Sequence, residues 1–364
     1  MAFHRLFAIP RLTGCFALAF LQLMALNDLS PAQDPRNPSV ELPGGSCSDA
    51  GSRCITITVE VTDKSLRPVA GLEAADFKLF DNRQPQKIVA FHAVDPAHPS
   101  TAPLKVQIII DAVNADAVLV GSERDGVSAS LKQNSGKLAQ PVSIWLLANK
   151  GLTRIAGPSQ DCAELLAGLS GAQPLLRVLN RSAGVWGAVE RTGQAIKLVK
   201  ATVSAESATP GRKLVLFISP GWPMLLNFEP DQRRVVFNDI VNISNGLREA
   251  GISFYMLDPS SVGTALDSGA YDNFLKGVTK AGDAQWANLS LQVISEHSGG
   301  QVISGNDIKD EIDTASRDAG TYYTLSFERA SGSRESEYHN IHVTVDQPRV
   351  KIHTTAGYYL AGPG

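Results

Sequence analysis

The chain lacks a long apolar run. Its best stretch, residues 12–26, is interrupted by Gln22 and falls short of the ~20 residues that a bilayer-spanning helix needs. Arg5 and Arg11 precede that stretch and Ser30-Pro31-Ala32 follow it, so residues 1–32 read as an export signal with cleavage before Gln33. A retained membrane anchor is the alternative. Lipidation at Leu12-Thr13-Gly14-Cys15 is disfavoured because the apolar core follows Cys15 instead of preceding it. Charge of one sign is also missing. With 33 basic and 36 acidic residues, the formal net charge of −3 supplies no long-range attraction to nucleic acid or anionic lipid.

Cysteine is scarce, which excludes a disulfide-built scaffold. Of the four cysteines, Cys15 would leave with the signal. Cys47 and Cys54 flank a short polar loop that a disulfide would close in an oxidising compartment, with a pair of thiols as the alternative. Zinc would need further Cys or His at ligand spacing, and none lies nearby. Cys162, in an apolar helical pattern, reads as a buried small hydrophobe. The motifs of common catalysts are missing too: no Gly-x-Ser-x-Gly elbow, His-Glu-x-x-His, phosphate loop or Gly-x-Gly-x-x-Gly occurs. Among the histidines, His92, His342 and His353 lie in or beside alternating strands. His339 and His342 would point to opposite faces of one strand, and His297 suits the last turn of a helix, where its charge would complement the dipole. The expectation is a non-enzymatic protein without a cofactor.

What is present is a globular composition, 43% hydrophobic and 19% charged, and enough length for one large domain with an accessory module. Residues 33–53, rich in Pro, Gly, Ser and Asp, read as a linker. Residues 55–62 then alternate with period two, followed by strand patterns at 77–80 and 87–92 around a turn at 81–84. Three strands are too few for a stable sandwich, so residues 54–100 are expected to join the alternating patterns at 341–345 and 350–354, within 336–361, in one β module. Between these ends, residues 101–335 alternate strands with helices. Apolar runs at 106–110, 142–147, 214–218, 252–257 and 322–327 predict a mainly parallel sheet covered on both faces. Asp161 with Glu164 has capping-box spacing, Pro230 suits a first helical position, and Gly251 and Gly299 suit helix ends. Asn288 and Asn306 are expected to cap two more helices. The fold class is therefore α/β: a doubly wound, mainly parallel sheet with a small β-sandwich-like module made from both chain ends.

The wording along the chain adds a family likeness. Val61-Thr62-Asp63, Gly71-Leu72, Asp76-Phe77, Gln86-Lys87-Ile88, the strand ending at Asp111, Pro210-Gly211-Arg212-Lys213, Ser298-Gly299-Gly300 and Gly357-Tyr358-Tyr359 follow one another in this order. Over about residues 55–360 the chain resembles the bacterial exported branch of von Willebrand factor A-type domains, the VWFA-related proteins. That resemblance implies a metal-ion-dependent adhesion site, in which Asp-x-Ser-x-Ser, a later Thr and a further Asp hold a hard cation by oxygen ligands. Here the first segment reads Asp111-Ala112-Val113-Asn114-Ala115, so Val113 and Ala115 replace both hydroxyls. Pro220 stands where the further Asp would be, and Ser182 is the hydroxyl left in the loop that supplies Thr. No metal is expected; Asp111, Asn114, Asp116 and Ser182 are the residual candidates.

Ligands in open α/β sheets bind beyond the carboxyl ends of the strands, where this chain places an apolar loop. Trp222, Met224, Leu225 and Phe228, with Trp186 nearby, are the candidate protein-binding residues; the competing reading folds them back onto the domain. The function expected is an exported binding or assembly module with a degenerate adhesion site, taking a protein partner in the envelope or extracellular space. A cation-dependent adhesin using Asp111 is the alternative, and a hydrolase a weaker one.

Overall fold

Alternating residues 55, 57, 59 and 61 can serve only a sheet with one face inward, and the computed structural model builds that sheet first. It describes residues 40–41, 54–95, 98–100, 102, 104–133, 136–172, 184–223, 230–259, 271–305, 307–329 and 336–360. The export-signal segment, Cys47, Ser182, Met224, Leu225, Phe228 and Asn306 lie outside the described residues. In chain order the strands β1 (Val40–Glu41), β2 (Cys54–Asp63), β3 (Phe77–Asp81), β4 (Gln84–Gln86) and β5 (Ile88–Val94) come first. The α/β part follows: β6 (Lys105–Asp111), α1 (Ala117–Gln133), β7 (Lys137–Ala148), β8 (Gly151–Asp161), α2 (Cys162–Gly171), α3 (Gly184–Glu206), β9 (Lys213–Ile218) and α4 (Pro230–Glu249). It continues with β10 (Ile252–Asp258), α5 (Leu291–His297), β11 (Val302–Ser304) and α6 (Ile308–Asp318). The last strands are β12 (Tyr322–Glu328), β13 (Tyr338–Val345), β14 (Val350–Thr354) and β15 (Gly357–Tyr359).

The central sheet runs β11-β10-β9-β6-β7-β8, parallel except for β8, which is antiparallel to β7. Numbered by appearance within the sheet, this is the doubly wound order 3-2-1-4-5-6 read from the β8 edge. Its inner strands β6, β9 and β10 are mostly apolar because both faces are covered: Phe217, Phe254 and Ile109 meet α3 and α4 through Val199 and Ile240. Ile110, Leu216 and Tyr255 meet α1 and α6 through Val127 and Ile312. No described helix is long and apolar enough to cross a membrane.

Two antiparallel sheets, β1-β5-β12-β2-β14 and β15-β13-β3-β4, form the sandwich. Ile57, Val59, Phe77, Leu79, Leu325, Phe327 and Val343 fill it. Asn82 and Arg83, with φ of 48° and 68°, make the tight β3–β4 turn that a two-residue hairpin requires. The strand at 322–327 departs from expectation. It leaves the parallel sheet and pairs antiparallel with β2 and β5, Leu325 lying opposite Ile57 and Phe91. The reason is its period: Tyr323, Leu325 and Phe327 enter the sandwich core, while Thr324 and Ser326 face the other way. Two central strands lie outside the expected apolar runs: β8, a polar edge strand antiparallel to β7, and β11, three residues long and too short to carry a pattern.

Pro230 opens α4, and Gly251, at φ 62°, follows its end. Asp161 caps α2 by accepting from Ala163 N and Glu164 N. Glu164 does not complete the box; its carboxylate accepts from Ser159 Oγ (2.5 Å), and Ser159 Oγ accepts from Asp161 N (3.0 Å). Asn288 is not a helix cap. It sits inside the short turn Trp286–Leu289, accepting from Gln285 N, and α5 begins after Ser290. Asp307 caps α6. Cys54 is disulfide-bonded, and Cys162 is buried at the start of α2.

The sandwich is joined to the central sheet by a buried charge network. Glu60, facing outward on β2, accepts from Arg212 Nη2 and from Tyr255 Oη (2.6 Å). The Arg212 guanidinium lies 4.9 Å from the centre of the Tyr322 ring.

Candidate functional site

The chain reverses direction across the sheet between β6 and β9, and the crevice beyond their carboxyl ends is the fold's natural binding position. Register sets its residues: Ile110 pairs with Ile218, so Asp111 and Ser219 follow as neighbours. Asp111 is fully buried. Its Oδ1 accepts from Val113 N and Asn114 N (3.0 Å each), and its Oδ2 accepts from Asn114 Nδ2 (2.8 Å) and Ser219 Oγ (2.7 Å). A carboxylate offers about four acceptor positions, and protein donors fill all of them here. Burial raises the Asp111 carboxyl above its ordinary range, opposed by the bonds from Asn114 and Ser219.

Beside Asp111 lies Glu123, equally buried in α1. Burial first, and the Asp111 charge second, push its carboxyl well above the usual range, favouring the neutral acid. Neither Glu123 nor Ser219 stands out in the sequence. Glu123 could have been found from helical spacing, since with Val120, Val127 and Leu131 it falls on the buried stripe of α1.

These residues do not fit a hard cation. Asn114 presents N–H groups to Asp111, Ser219 donates its hydroxyl, and the buried side chains of Val113 and Ala115 hold no oxygen. Asp116 accepts from Leu119 N (2.9 Å) at the start of α1. Among the described residues no cluster of three His, Cys, Asp or Glu could hold a metal ion.

Of the apolar candidates, Trp222 is folded back. It is 3% exposed, stands edge-on to Phe217 (5.5 Å between ring centres, 83°) and belongs to the core under α3 and α4. Trp186 behaves in the opposite way. It is 85% exposed, next to Val185 at 72%, and Val118 on α1 is 84% exposed. Helix α1 leaves β6, whereas α3 leads into β9, parallel to β6; both helices therefore start at the carboxyl edge of the sheet, α1 on one face and α3 on the other.

His297 is not a cation at a helix end. Its Nε2 donates to the Leu275 carbonyl (2.8 Å), and burial lowers its pKa, so the neutral ring straps α5 to the preceding loop. His339 is buried with Nδ1 on Asp81 (2.8 Å), which also accepts from Tyr358 Oη (2.8 Å). His342 is exposed on the opposite face.

No family model and no curated protein matches the chain. Among solved structures, the manganese-loaded TRAP protein of Plasmodium vivax aligns with 8% identity and a TM-score of 0.34, over 69% of this chain and 92% of that one. PTMP1 of the mussel byssus with a zinc-occupied MIDAS motif aligns with 10% identity and a TM-score of 0.33, over 63% and 48%. The human COPII-coat protein Sec24c aligns with 9% identity and a TM-score of 0.31, over 71% and 44%. At such identities and scores these likenesses bring no ligand, partner or activity to this chain.

Proposed function

We propose that this is a non-enzymatic, exported binding or assembly module that captures a protein partner in the envelope or extracellular space through the carboxyl edge of its central sheet, without a metal. The observation that supports the reading is Trp186, a large aromatic left in water beside Val185 at the start of a helix on the carboxyl edge, the edge on which the Asp111 carboxylate is already satisfied. Exposed aromatic anchors of this kind dominate binding energy when a partner buries them. Export rests on the charged, apolar and small-residue succession of residues 1–32.

The test is capture of partners from native envelope extract by the wild type, Trp186→Ala and Trp222→Ala. Trp186→Ala is expected to lose the partner while keeping the wild-type melting temperature, because its ring touches little of the domain. Trp222→Ala is expected to lose stability, by about 3–5 kcal/mol for a buried aromatic. Identical partner lists for wild type and Trp186→Ala would reject this edge as the site. Loss of capture on adding a chelator would favour the cation-dependent adhesin.

A further inference from the structure

The amino edge of the central sheet, opposite the Asp111 crevice, borders an open cleft of about 590 Å³. That volume lies in the range of small-molecule sites, about 300–1,000 Å³. One wall is the outer face of the sandwich. Thr56 and Thr58 on β2 and Thr324 on β12 line it, Thr58 standing directly opposite Thr324. Side chains alternate along a strand, so this hydroxyl row exists because Ile57 and Leu325 point into the sandwich core. The other walls are the turn into β9, which brings Arg212 and Lys213, and the turn between α4 and β10, which brings Arg248.

The charges in these walls are not all matched. Arg212 is committed to Glu60. Arg248 donates from Nη2 to Glu249 Oε1 (2.7 Å), but its Nε has no hydrogen-bond partner although the side chain is only 9% exposed. Glu249 itself is mostly in solvent, which weakens its hold. Lys213 is 1% exposed; its Nζ donates to the carbonyls of Ala250 (2.8 Å) and Thr209. An ammonium has three donors, and the two carbonyls use two of them. Burial lowers both Lys213 and Arg248 below their ordinary values, opposed by Glu206 at Lys213 and by Glu249 at Arg248. Glu206 lies near Lys213 and is paired with Lys105 (3.1 Å); with Arg212 set against Glu60, Arg248 against Glu249 and Lys105 against Glu206, one positive charge is left over.

We propose that this cleft is a binding site for a sugar acid, a pyranose carrying one carboxylate, with the carboxylate on the Lys213–Arg248 side and the ring hydroxyls along the threonine row. A monoanion matches the single surplus charge, and a carboxylate oxygen can accept from the Arg248 Nε that Glu249 leaves unpartnered. A neutral sugar would leave the cations unmatched, and a bare inorganic anion would leave the threonine row unused.

Calorimetric titration of the full-length mature protein with glucuronate, glucose and sodium sulfate tests the assignment. Glucuronate is expected to bind saturably, about tenfold or more tighter than glucose or sulfate, and to weaken as salt is raised. Arg248→Met is expected to weaken glucuronate by about tenfold or more, and Thr324→Val, at a half-buried wall position, by a smaller factor without loss of fold. Should Arg248→Met fail to fold, Thr324→Val and the salt dependence decide. Absence of saturable glucuronate binding would overturn the proposal. So would sulfate binding as tightly as glucuronate, since the cleft would then read charge alone, and so would unchanged affinity in Thr324→Val together with indifference to salt.

Discussion

Asp111 keeps the identity that a cation site would require and has none of the free lone pairs. The difference is made by Asn114 and Ser219, whose donors occupy its oxygens. That Val113 and Ala115 carry no side-chain oxygen is legible in the sequence; that Ser219 reaches Asp111 is not, because it depends on register across the sheet. Glu311 is a second buried acid whose setting is tertiary. Its Oε1 accepts from Gly305 N (2.6 Å), yet burial, with Asp258 and Asp307 nearby, raises its pKa to about 8. An acid whose folded pKa is raised contributes stability that is full below the unfolded value, about 4.5, and is lost as pH rises through the folded value. Wild type is therefore expected to lose urea-unfolding stability between pH 5 and pH 8 relative to Glu311→Gln. Parallel pH profiles for the two proteins would contradict this.

At the scale of elements, the capping chemistry at Asp161 was legible from residue type and spacing, because a cap is a local bargain between a side chain and the next three N–H groups. Its partner Glu164 was not, since Ser159 competes for it. Asp161→Ala is expected to cost about 1 kcal/mol, measured by urea denaturation, and Glu164→Ala distinctly less. Equal losses would mean that Glu164 supports the helix start after all. Strand β12 shows the limit of local reading. Five apolar runs look alike in sequence, and only the alternation of Thr324 and Ser326 with Tyr323, Leu325 and Phe327 hinted that this one has a polar side. Asn288 has the residue type of a helix cap, but a short turn takes up its carbonyl before α5 begins.

For the molecule as a whole, the polar contacts that join sandwich and central α/β part include Asn245 with the Tyr359 backbone and, fully buried, Glu60 with Arg212 and Tyr255. Removing one member of a buried pair leaves the other charged and unpaired, a loss of about 3–5 kcal/mol. Glu60→Ala is expected to show that loss in chemical denaturation, and the double variant Glu60→Leu with Arg212→Met to recover much of it, because paired apolar groups carry no desolvation cost. A Glu60→Ala protein as stable as wild type would show that the network contributes nothing to the join. Arg212 of this network also lines the cleft that Thr56, Thr58 and Thr324 border.

By itself the sequence determined most of the elements, their α/β alternation and the pairing of the two chain ends, which follow from residue type and short-range period. Tertiary structure alone decided that Trp222 is core and Trp186 surface, that Ser219 reaches Asp111, that Glu123 lies beside it, and that three cations meet at the amino edge. Burial and partnership between residues some hundred positions apart are properties of packing, and local spacing holds no record of them.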